Sequence, residues 1–198
     1  RCSGARTHAE GRRAVAMKAS LRVLSAADCS APPARSSHAA AAVGRRAFVF
    51  GGESGPRVCV DDGGAALRVH AFDVDKGAWQ CDVAAAGGGD AAPVPLLGLG
   101  AACTAAEQSV VLFGGRTGGT LGGGNDKADV YVFDVATGAW QAAAAAAAGD
   151  LPPPRSYHAM CASANCVYVF GGCGADGRLA DLWRVDMRAR ADGWRRLA

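Results

Sequence analysis

The side chains able to do chemistry are scattered along this 198-residue chain, and their spacing supports little of it. Asp61 and Asp62 are an adjacent carboxylate pair. As consecutive loop residues they need not face each other across a reacting bond, and nothing basic is placed to join them. The cysteines, at 2, 29, 59, 81, 103, 161, 166 and 173, include no C-x-x-C pair, and no histidine stands at ligand spacing from them, so no metal site is expected. Several sit in strand-like runs, where cysteine behaves as a small buried hydrophobe. Free thiols in a reducing compartment are therefore expected over disulfides, with a cytoplasmic setting and a nuclear one as the alternative. The stretch "TGGTLGGGND" at 117–126 has no G-K-[ST] after it and reads as a long loop, not a phosphate cradle. No G-x-S-x-G element is present. Catalysis and a cofactor are both unexpected; recognition remains. Arg116 is the leading candidate, since a guanidinium grips a carboxylate or phosphate bidentately and also stacks on aromatic rings.

Arg116 follows a glycine pair, and that pair recurs. The runs "AFVFGG", "VVLFGG" and "VYVFGG" end in Gly51-Gly52, Gly114-Gly115 and Gly171-Gly172. After each comes a second apolar block with an Asp and a closing Trp: Asp73 and Trp79, Asp134 and Trp140, Asp186 and Trp194. Upstream, "PPARSSHA" and "PPPRSYHA" supply Arg35 with His38 and Arg155 with His158, each His thirteen residues before its first glycine. Counted the same way, the middle copy has Gly98 and Ala101 there and has lost both residues. Successive pairs lie 63 and 57 residues apart (51 to 114, 114 to 171), which makes the repeat the organising feature.

Each copy reads as four short strands separated by turn residues, a four-stranded antiparallel unit. In "DVYVFD" Val130 and Val132 point one way and Tyr131 and Phe133 the other, so the sheet is apolar on both faces. Such a sheet must be covered twice, and stacking like units does that, as in a propeller blade. The glycines allow a sharp turn and close approach near the crowded centre. The Trp residues are expected between blades, and the Asp residues are expected to cap the tight turns that follow them.

The ordered combination of R-x-x-H, apolar run, Gly-Gly, apolar run ending in Asp, and spaced Trp resembles the kelch repeat over residues 32 to 198. The fold class that this implies is all-β: a partial propeller of three four-stranded antiparallel blades, with strands a to d running from the centre outward, plus a leading strand. The copies divide as 32–92, 93–151 and 152–198. "SLRVLS" at 20–25 would be the last strand of a preceding blade occupying 20–31, and 1–19 a basic leader, disordered or a remnant of that blade. Kelch propellers close with five to seven blades, so further blades or partners are expected to complete this one. The Ala142–Ala148 run is too short for a stable helix and reads as an expanded d-to-a loop.

The net charge of +3 is too weak to argue for nucleic acid, and no stretch reads as a membrane span. By resemblance, a protein partner would bind the face made by the b-to-c and d-to-a loops. The positions matching that face are Glu53, Arg116 and Cys173 after the glycine pairs, and Ser36, Ser37, Ser156 and Tyr157 after the first-strand Arg. Arg35, His38, Arg155 and His158 are expected to be structural. Some kelch-like propellers carry copper-radical or iron-dependent chemistry; for the former only Tyr157 beside His158 offers a hint, with Tyr131 and Tyr168 inside strands. The reading is a scaffold or adaptor module that binds a protein. The alternative is a non-catalytic propeller part of a larger enzyme, such as a kelch-type oxidase or phosphatase. No F-box, BTB or phosphatase segment is visible in these residues.

Overall fold

The computed structural model describes residues 31–60, 66–84, 92–104, 108–119, 125–143 and 151–198. The basic leader, the expected strand at 20–25, Asp61-Asp62, the centre of the 117–126 loop and the alanines from 144 onward lie outside the described residues. Three four-stranded antiparallel sheets carry the fold. The first holds β1 (Ala39–Val43), β2 (Arg46–Phe50), β5 (Val69–Asp73) and β6 (Ala78–Gln80), with a small hairpin of β3 (Glu53–Gly55) and β4 (Val58–Cys59) between β2 and β5. The second holds β7 (Gly100–Cys103), β8 (Ser109–Phe113), β9 (Val130–Asp134) and β10 (Trp140–Ala143). The third holds β11 (Ala159–Ser163), β12 (Cys166–Gly174), β13 (Gly177–Asp186) and β14 (Trp194–Arg196). Within each sheet the strands lie side by side in chain order, so every blade is a meander.

The two-sided hydrophobicity of the central strands is met by stacking. Phe48, Phe50, Val69 and Ala71 of the first blade pack with Val110, Leu112, Phe133 and Trp140 of the second. The opposite faces of β8 and β9, through Val111, Phe113 and Val132, pack with Val167, Val169, Trp183, Val185 and Trp194 of the third. Trp140 lies 4.9 Å from Phe133 and 6.2 Å from Phe50, and Trp194 lies 5.2 Å from Phe113 across the second joint. Each ring removed from water at these joints contributes roughly 1.5–3 kcal/mol. Trp79 packs on Phe72 at 5.3 Å, the pair equivalent to Phe133 and Trp140, on the side of the first blade away from the second. Asp73 and Asp134 cap the next turn by accepting from Lys76 and Thr137 backbone N–H at 3.0 and 2.8 Å. Asp186 accepts from the Arg188 N–H at 3.0 Å.

Strand register corrects the counting in the middle copy. Ala39, Gly100 and Ala159 pair with Phe50, Phe113 and Phe170, the residues just before each glycine pair. The Arg and His positions of the second blade are therefore Leu96 and Leu99, not Gly98 and Ala101. The turn between β7 and β8 is longer than its counterparts, and counting back from the glycines absorbed the extra residues. Leu96 and Leu99 are buried in the first joint.

Candidate functional site

The meander puts the a-to-b and c-to-d turns at one end of the stack and the b-to-c and d-to-a connections at the other. At the second end the glycine pairs work as seats. Gly52 donates its N–H to Leu96 O, and Gly115 to Arg155 O, both at 2.9 Å, so each pair holds the incoming first strand of the next blade. A parallel ladder runs closer to the centre: Gly98 donates to Ser37 O and Tyr157 to Gly98 O, both at 2.7 Å. Ser37, Gly98 and Tyr157 occupy the same place in the three blades and all have positive φ, at 54°, 62° and 55°.

The residue after each glycine pair bridges the residue after the Arg position, joining Ser36 to Glu53, Leu97 to Arg116 and Ser156 to Cys173. Ser36, Ser37, Glu53, Ser156, Tyr157 and Cys173 are thus brought together with Arg116 at one end. Their roles differ. Glu53 accepts from the Ser37 hydroxyl and from the Arg57 N–H at 2.8 Å, and these bonds, in that order, hold its carboxyl below the ordinary value. Its carboxylate ties the β3–β4 hairpin to the first blade. Ser156 is buried and donates to Asp126 Oδ1 at 2.6 Å, linking the third blade to the second. Cys173 lies against Arg178 in the hairpin that extends β12 and β13. Tyr157 is 44% exposed, with its ring over Gly98. Burial, and then the Glu53 carboxylate, raise its phenol above the ordinary value. Tyr157, Ser36, Glu53 and hairpin residues 54–57 line a pocket of about 670 Å³.

Arg116 departs from the expectation of an exposed gripping residue, being only 5% exposed. Its backbone bridges both Leu97 and Asp126, which draws the side chain inward at the second blade. Exposed guanidinium groups at this end include Arg57, at the tip of a hairpin that no repeat position announced, and Arg178 in the β12–β13 hairpin.

Arg35 and Arg155 make the same backbone grip. Arg155 Nη1 donates to Gly171 O at 3.0 Å and Nε to Pro153 O at 3.1 Å; Arg35 reaches Gly51 O at 2.9 Å and Pro33 O at 3.2 Å. Arg155, 0% exposed, adds a bidentate pair with Asp181 at 2.7 and 2.8 Å. The first blade has Arg68 at the register position of Asp181, and there Arg35 meets His70 Nε2 at 3.3 Å instead. Sequence reasoning passed over Asp181, although an Asp opening both "DVYVFD" and "DLWRVD" was a usable signal.

His158 fills the second joint, edge-on to Phe113 at 5.4 Å and against Gly100 and Gly114. His38, its first-blade counterpart, is exposed. Burial first, then the nearby Arg155 charge, lower the His158 pKa to about 4. The ring folds neutral but takes a proton in the unfolded chain near pH 6.5. Its contribution is complete above that value and is lost as pH falls toward 4, by at most about 3 kcal/mol. Denaturant titrations at pH 7.5 and 5 should show this loss in the wild type and much less of it in His158→Leu, which copies Leu99. Equal pH slopes in the two proteins would remove His158 from the joint.

Among the described residues no cluster of three or more His, Cys, Asp or Glu could hold a metal ion, and no helix is long and apolar enough to cross a membrane. The profile of the KLHDC2/KLHL20/DRC7 Kelch-repeats domain matches residues 37–198. Kelch domain-containing protein 3 of Bos taurus is 34% identical over 160 residues, covering 78% of this chain and 38% of that protein. The Homo sapiens protein of the same name is 34% identical over 145 residues, 71% of this chain and 35% of its own length. The N-(sulfonatooxy)prop-2-enimidothioate sulfolyase of Thlaspi arvense is 29% identical over 153 residues, 77% of this chain and 40% of the enzyme. The chain thus spans less than half the length of these relatives. Three meander blades stacked through paired glycines, together with a profile match over most of the sequence, place this chain in the kelch-repeat family as part of an all-β propeller.

Proposed function

We propose that this protein is an interaction module that binds a protein partner at the end of the stack formed by the b-to-c and d-to-a connections, as an adaptor in a reducing, cytoplasmic setting. The observation that carries the reading is Tyr157. A large ring 44% exposed, fixed at φ 55° by a hydrogen bond from its own N–H, and set beside a 670 Å³ pocket, is a preorganised contact. Ser36 and Arg57 share this surface. Glu53, Arg116, Ser156 and Cys173 act from beneath it by holding the hairpins and blade joints in place.

Tyr157→Ala should weaken partner binding about tenfold or more while changing stability by about 1 kcal/mol or less. Arg45→Glu, at the other end and exposed in a surface pair with Asp75, should leave binding intact. The check is affinity capture from an extract of the source, followed by titration of the captured partner against all three proteins. Equal affinities for wild type and Tyr157→Ala would overturn the assignment. The sulfolyase match favours a second reading, in which these blades are a non-catalytic part of a larger enzyme. Under that reading, activity in the full-length protein would survive Tyr157→Ala.

A further inference from the structure

A cavity of about 620 Å³ opens where the first two blades meet, at the end of the stack opposite to Tyr157. The turn between β1 and β2 forms one wall, and the residues that follow β7 and β9, with Gln108, form the other. Its volume is that of a small-molecule site, and such sites combine apolar walls with a few placed polar groups. The apolar part comes from Ala42, Val43, Cys103, Val135 and Ala136.

Two hydrogen-bond donors lining this cavity have no acceptor. Thr104, directly after β7, is 1% exposed, and its hydroxyl has no partner. Arg46, the first residue of β2, is half-buried, and its Nε is likewise unpaired. The other guanidinium nitrogens are held by neutral groups. Nη1 donates across the joint to Val135 O at 3.2 Å, and Nη2 donates to Gln80 Oε1 at 3.3 Å. The guanidinium carbon lies 4.8 Å from the centre of the Phe48 ring, which steadies the group further. Leaving buried donors unsatisfied is costly, and two in one cavity call for an acceptor.

The charges say which kind. Arg45, Arg46, Asp73 and Asp75 line the cavity. Arg45 meets Asp75 at 2.7 Å. Asp73 accepts from the Asp75 and Lys76 backbone N–H groups and lies 3.6 Å from Lys76 Nζ. Arg46 has no carboxylate partner among the described residues. The unmatched charge is positive, so the acceptor that suits it is an anion.

We propose that this cavity binds a small carboxylate with a short apolar body, its oxygens accepting from Thr104 Oγ1 and Arg46 Nε. The two oxygens of a carboxylate answer the two donors, and the apolar body lies on the alanine and valine walls. Arg46 belongs to the first blade and Thr104 to the second, so the bound ligand ties the two together. The site stands apart from Tyr157 and does not depend on how that end is used.

The test titrates isocaproate, its neutral amide and inorganic sulfate into the full-length protein by calorimetry. Isocaproate should bind with a Kd of about 1 mM or tighter, and the other two about tenfold more weakly. Saturating isocaproate should raise the melting temperature by a few degrees. Thr104→Val keeps the side-chain shape and removes the hydroxyl. Its affinity for isocaproate should fall about tenfold while its melting temperature stays at or above the wild-type value, because a buried unpaired hydroxyl has gone. Arg46→Gln should weaken binding by about tenfold or more. No binding of isocaproate at about 10 mM overturns the site, as does equal affinity in wild type and Thr104→Val. An amide or sulfate that binds as tightly as isocaproate overturns the carboxylate.

Discussion

Gly114→Val should lose about 4 kcal/mol or more of stability, enough to leave the chain largely unfolded at modest denaturant. Two independent causes act at this position. Its φ is 63°, where a β-branched side chain is strained by about 1–3 kcal/mol. A Cβ would also sit 2.6 Å from Arg155 O and 3.0 Å from His158 Cε1, both on the next blade. Arg155 O cannot withdraw without breaking its bond from Gly115 N–H, so the clash reaches the joint itself. Gly44 separates the two causes, because its φ is 58° and nothing lies within 4 Å of its Cβ direction. Gly44→Val should therefore show the backbone strain alone. Urea titrations of both variants measure the difference, and equal losses would mean that the glycine pair is an isolated turn and not a seat for the neighbouring blade.

Arg155→Met should cost about 3–5 kcal/mol, because it leaves Asp181 buried beside Trp183 without its bidentate partner. Met retains much of the side-chain volume, so the loss reports charge and hydrogen bonding, including the bond to Gly171 O. Arg155→Met combined with Asp181→Asn should recover part of it, since no unpaired charge then remains. Acid titration provides a second readout. The Arg155 hydrogen bonds, then the bond from Trp183, hold the Asp181 pKa down to about 2 against an ordinary 3.8. Its contribution is complete above the ordinary value and is lost as pH falls through 2, well below the window in which His158 acts. In Arg155→Met the carboxyl no longer has the partner that holds it down, so this loss between pH 4 and 2 should largely disappear. A variant that keeps wild-type stability and acid profile would show that the pair does not hold the third blade together.

Much of the fold was legible because each blade is built from local signals. The central strands are short β-branched and aromatic runs, their ends are marked by glycine pairs, and Asp134 with Gly138 announces a tight turn within five residues. Trp140 and Trp194 could be assigned to joints because a large ring at a fixed repeat position has little other place to go. What escaped depends on pairings within a blade that the repeat pattern does not encode. Nothing near Arg116 in sequence shows that its backbone will bridge both Leu97 and Asp126 and carry the guanidinium out of solvent. Arg57 gained its exposed place from the β3–β4 hairpin, which is not part of the repeat. Leu96 and Leu99 were misplaced because spacing cannot distinguish a lengthened turn from a shifted strand, whereas register can.

We propose that this kelch stack binds its partner at the end carrying Tyr157. Hydrogen exchange of the full-length protein, with and without the captured partner, tests it most directly. Slower exchange is expected on binding in residues 36–37, 53–57 and 156–157, with the turns at 44–45, 74–77 and 135–138 unchanged. Protection confined to those turns, at the opposite end of the blades, would contradict it.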